Sequence, residues 1–109
     1  MKSNQEPSSD VLTGVERQQL IGSRYKQIQT INDNKDRDND YELGQEAYDI
    51  YSGYTNQLQR DVIRAMKSYV FHNPDRQYRK NTANWIKTEA FKPRTDELAH
   101  DRALEIINA

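Results

Sequence analysis

The chain has 109 residues, 34% of them hydrophobic and 30% charged, with a net charge of −1 and no cysteine. That length fits one domain, and the missing thiols exclude disulfides and thiolate chemistry, leaving His72 and His100 as the soft metal ligands. No apolar run approaches the roughly 18 residues that a membrane span requires, which predicts a chain of the cytoplasm with no membrane partner.

An apolar share well under the usual ~45–50% predicts a thin core. Self-association is the expected remedy, because a short chain buries only about two thirds of its unfolded surface, less than a longer one does. Charge is segregated along the sequence: residues 1–30 carry +1, 31–59 carry −5, 60–94 carry +6 and 95–109 carry −3. Such blocks can complement one another within or between subunits, or the basic one can receive phosphates.

Residues 1–9 read as a polar disordered tail, followed by a single helical domain over 10–109. Ser9 or Asp10 is the expected cap of a first helix running through Ile31, with Val11, Val15, Ile21, Tyr25, Ile28 and Ile31 on its apolar side. The Asn/Asp-rich run from Asn32 to Asp40 then reads as a loop whose last members cap the next helix. From Leu43 the apolar positions Ala47, Ile50, Tyr54, Leu58, Val62, Ala65 and Tyr69 recur every three or four residues, which predicts one long central helix, or a pair divided at Gly53. Leu43, Ala47, Ile50, Tyr54, Leu58 and Val62 are the expected oligomer interface, since so long a stripe asks for a partner helix.

Asn73-Pro74 ends that helix. A short helix over 79–87 around Trp85, an extended Phe91-Lys92-Pro93-Arg94 turn and a last helix capped by Thr95 complete the expected all-α bundle. Asp96 and Glu97 suit that helix's first turn, and Leu98, Ala103, Ile106 and Ile107 its buried side.

Asp33, Asp36, Asp38 and Asp40 invite a calcium-loop reading, but Asp38 and Gly44 stand where such a loop needs Gly and Glu. Glu42, Glu46 and Asp49 would have to converge for a magnesium-dependent nucleotide hydrolase. His72 suits a helix C-terminus better than general-base work. No catalytic set and no cofactor is therefore expected. The basic block is more informative: Arg60, Arg64 and Lys67 share a helix side, and Arg76, Arg79, Lys80, Lys87, Lys92 and Arg94 follow. With Tyr78 and Trp85 interleaved, the candidate ligand- or partner-binding residues are Arg64, Lys67, Arg76, Tyr78, Arg79, Lys80, Trp85 and Lys92. Trp85 carries two readings, a core plug or the wall of a pocket. The pI of about 6.1 ranks nucleic acid below an acidic protein surface or a phosphate-bearing small ligand.

Arg24, Gln27 and Ile28, then Asp38 with Asn39, then Gly44, Gln45 and Ala47, then Asn84 and Trp85, then Phe91, Lys92 and Pro93, and finally Leu98, Ala103, Leu104, Ile106 and Ile107 follow one another in an order. That order resembles a group of small phage and prophage proteins over residues 23–109. The group's Gly-Trp after the first helix is replaced here by Thr30, Ile31 and Asn32, and the second acid of its pair by Asn39. The arrangement is also faintly similar to ryanodine-receptor-repeat domains. These resemblances imply an accessory protein in a host cytoplasm that acts by binding, either inhibiting a host defence protein or sequestering a nucleotide-type ligand. A DNA-binding, transcription-related module is the alternative.

Overall fold

The computed structural model describes residues 13–34 and 40–99, and those residues form an all-α bundle. Helix α1 spans Gly14–Asn32, α2 Tyr41–Ser52, α3 Asn56–His72 and α4 Thr82–Lys87, with a 3-10 turn at Arg76–Tyr78. A last helix, α5, occupies residues 92–99 as far as the described chain runs. The expected tail over 1–9, the caps Ser9 and Asp10, and Asp36, Asp38, His100, Ala103, Ile106 and Ile107 lie outside the described residues.

Each of α1 to α4 starts on a side-chain cap. Thr13 accepts from the Glu16 amide while Glu16 reaches back to the Thr13 amide, a reciprocal capping box that fixes the start of α1. Asp40 caps α2, Thr55 caps α3 and Asn81 caps α4, in each case by accepting the backbone N–H three residues on. The cap at Thr13 leaves Val15 on the exposed side of α1, so the apolar face begins at Ile21.

Gly53 does divide the central stripe. Its backbone sits near φ −82°, which any residue adopts, so the break comes from the turn over 53–55 and the fresh cap at Thr55 rather than from glycine's freedom. After the break α2 packs on α4 and α3 packs on α1. The expected oligomer interface is therefore corrected: Ala47 and Val62 are wholly buried in the chain's own core, and Leu43, Tyr54 and Leu58 pack against it half-buried. Of that stripe only Ile50 reaches appreciable exposure, 39%.

A polar joint holds the two helix pairs together. Arg24 of α1 donates to Asn56 Oδ1 and Gln59 Oε1 of α3, at 3.0 and 2.6 Å. Gln59 in turn donates to the Tyr51 and Tyr54 carbonyls, and the Tyr51 hydroxyl donates to the Gln59 carbonyl at 2.8 Å. Burial raises the Tyr51 phenol well above its ordinary 10.0, against an opposing pull from Arg24. Tyr54 is raised for the same reason, with the Glu89 charge adding to it.

The folded state thus holds these phenol protons more tightly than the unfolded chain does. Their contribution to stability is complete below 10.0 and is lost as pH climbs through and past that value. The urea midpoint is expected to stay level around neutrality and to fall in that alkaline window, with a shallower fall in Tyr51→Phe. A midpoint that declines equally in the variant would remove Tyr51 from the account.

The chain reverses after α4 through a left-handed residue. Glu89, at φ 57°, lets the Ala90 amide donate to the Trp85 carbonyl and its own amide to that of Ile86, closing the last carbonyls of α4. Phe91 enters the core directly behind this turn. The helix that follows begins at 92, earlier than a cap at Thr95 would allow, and Phe91-Lys92-Pro93-Arg94 is not an extended turn. The Phe91 carbonyl accepts from the Arg94 and Thr95 amides, and Pro93 occupies the first helical turn, where its missing N–H costs nothing. Thr95 lies inside the helix and donates its hydroxyl to the Lys92 carbonyl.

Candidate functional site

The outer face of α3 lines up three exposed cations, Arg60, Arg64 and Lys67. Positions 57, 60, 64, 67 and 71 recur at three- and four-residue steps, which places Gln57, Arg60, Arg64, Lys67 and Phe71 on one side, opposite Val62, Ala65 and Met66 in the core. Arg60 donates to Gln57 at 3.2 Å. No described carboxylate forms an ion pair with Arg60, Arg64 or Lys67. Phe71 ends the strip 80% exposed, its ring edge-on to His72. From Arg60 to Phe71 the strip covers about 16 Å at ~1.5 Å per residue.

His72 itself is occupied structurally. Its Nδ1 lies 2.8 Å from the Ser68 carbonyl oxygen, an acceptor, which fixes that nitrogen as the donor.

The remaining predicted basic and aromatic residues do not gather beside one another. Arg76, Tyr78 and Lys80 are exposed on the connection after α3, and Arg76 lies 3.6 Å from the Asp33 carboxylate. Lys92 bridges to Glu89 at 3.1 Å, a rim ion pair of the kind that contributes little. Two of the set belong to the interior. Arg79, only 4% exposed, donates through Nε to Asn32 Oδ1, through one terminal nitrogen to the Asn32 carbonyl and through the other to the carbonyls of Asn73 and Pro74. One guanidinium thereby serves the C-terminal ends of both α1 and α3, where a cation also meets the negative ends of the helix dipoles. Asn32 completes the lock by donating to the Lys80 carbonyl and the Thr82 hydroxyl.

Trp85 is wholly buried, 5.5 Å from Phe91 and 5.6 Å from Tyr69 between ring centroids. It plugs the core. Arg79 and Trp85 therefore do not belong to a ligand-binding patch, and Trp85 takes the core-plug role: both side chains hold the connection 73–91 against α1 and α3.

A recess lined by Tyr25, Gln29, Asp40, Leu43, Gly44, Asn81 and Ala83 holds about 10 Å³, room for one water. The acids proposed for magnesium do not converge: Glu46 pairs with Lys87 at 2.7 Å and Asp49 accepts from Gln45 at 3.0 Å. Among the described residues no three His, Asp or Glu side chains form a group that could hold a metal ion. Asp33 and Asp40, the described members of the calcium-like loop, are used as the C-cap of α1 and the N-cap of α2. No described helix is long and apolar enough to cross a membrane.

Compared with known proteins, the chain matches no family model, no curated protein and no solved structure.

Proposed function

We propose that this chain is a non-catalytic binding module, an accessory protein of the phage or prophage kind its sequence resembles, and that the outer face of α3 docks on an acidic patch of a host protein. A counter-defence role, blocking that protein, is the physiological form of the proposal. The observation that carries it is the alignment of Arg60, Arg64 and Lys67 in exposed positions, without carboxylate partners among the described residues. Charges left uncompensated on a folded surface raise the local concentration of an opposite partner and speed its encounter.

Three features favour protein over nucleic acid or a free nucleotide. The net charge of −1 and the exposed acids Glu42, Glu46 and Asp49 on α2 oppose an extended polyanion. Phe71, exposed at the end of the strip, offers the apolar anchor typical of protein interfaces. Burial of Trp85 and Arg79 takes one aromatic ring and one cation away from any nucleotide site on this side of the molecule.

Fluorescence anisotropy with a labelled Asp/Glu-rich peptide and with a labelled DNA duplex tests this directly. The wild type is expected to bind the peptide, and Arg64→Glu with Lys67→Glu to weaken it by about tenfold or more, as reversed charges cost more than one factor of ten. Tighter binding of the duplex, with a steep salt slope, would assign the face to nucleic acid instead. Binding of neither would end the proposal.

A further inference from the structure

The acids on α2 repeat the geometry of the cations on α3. Glu42, Glu46 and Asp49 fall at i, i+4 and i+7, as do Arg60, Arg64 and Lys67, so each strip is about 10 Å long and lies on the solvent side of its helix. Ala47 and Tyr51 define the opposite, buried side of α2, as Val62, Ala65 and Met66 do for α3. Within one chain the strips face outward from different helix pairs, and no ion pair joins them among the described residues.

We infer that the α3 face also takes a second copy of this chain, whose α2 acidic strip lies antiparallel along it. This rests on the reading of α3 as the working surface and names one partner for it. In the antiparallel direction Arg60 meets Asp49, Arg64 meets Glu46 and Lys67 meets Glu42, and the helix dipoles oppose favourably. The same direction brings the exposed ring of Phe71 towards Tyr41, which stands 81% exposed at the start of α2. Glu46 is shared with Lys87, an exposed pair whose second carboxylate oxygen is free to accept Arg64. The contact joins two unlike faces, so it either closes reciprocally in a pair or propagates from copy to copy. Because it uses the same cations as a host partner, self-association competes with docking.

The test is sedimentation velocity on the full chain at low and high salt with two charge-reversed variants. One carries Arg64→Glu and Lys67→Glu, the other Glu42→Lys and Asp49→Lys, and circular dichroism verifies that both keep their helices. The wild type is expected above monomer mass at low salt and at monomer mass at high salt, since exposed charges are screened there. Each variant alone is expected to be monomeric, whereas an equimolar mixture restores the complex, because the unaltered α3 of the second variant then meets the unaltered α2 of the first. A monomeric wild type at low salt, or a mixture that stays monomeric, overturns the pairing. If the chain is monomeric yet binds the acidic peptide, the self-pairing falls and the host-docking reading stands; if it does neither, both fall.

Discussion

Arg79→Met is expected to destabilise the chain by about 3–5 kcal/mol, the range found when one member of a buried charged network is removed. Methionine fills a similar volume but donates nothing, so the buried acceptors of Asn32 and the part-buried carbonyls of Asn73 and Pro74 lose their shared donor. Lysine does not rescue it. An ammonium is a compact point charge and cannot reproduce the fork that reaches two helix ends at once. Urea unfolding followed by circular dichroism measures the effect, and a midpoint within error of the wild type would show that the guanidinium is dispensable.

Trp85→Ala is expected to cost a similar amount, about 3–5 kcal/mol, by opening a cavity among Tyr69, Phe91 and their neighbours. Against a total stability of about 5–15 kcal/mol for an ordinary domain, such a loss removes a large fraction of the whole. Trp85→Phe separates shape from polarity. The indole Nε1 has no hydrogen-bond partner among the described residues, so phenylalanine gives up volume and no polar contact there and is expected to cost less than half as much. Thermal unfolding by circular dichroism distinguishes the two variants, and equal losses would contradict the cavity argument.

Helical class, the cap of α2 at Asp40 and the stop before Pro74 were legible in the sequence, because each rests on a local pattern: periodic apolar residues, clustered Asn and Asp, or proline. Other features were legible but misread. Thr13 followed by Glu16 is a capping box in plain view, and Thr55 before Asn56 is a good cap that favours division at Gly53. Pro93 similarly signals a first helical turn.

What could not be read locally was which polar residues turn inward. Arg79 looks like every other arginine of the basic block until the carbonyls of residues 32, 73 and 74 are brought around it, and no spacing rule connects those positions. The α3 strip was half legible. Its four- and three-residue steps are in the sequence, but its solitude became visible only when Lys87, Lys92 and Arg94 were found each beside its own carboxylate.

The lock around Arg79 also bears on the order in which the chain assembles. The caps at Thr13, Asp40, Thr55 and Asn81 each act within three residues and help their helices form early, whereas the guanidinium joins positions 47 residues apart, a contact whose loop closes only after those helices dock. A latch set this late contributes little to the folding barrier and much to the opposite one. Its loss therefore shortens the lifetime of the native state while the chain still collapses at its usual speed, a signature carried by the unfolding limb of a chevron plot.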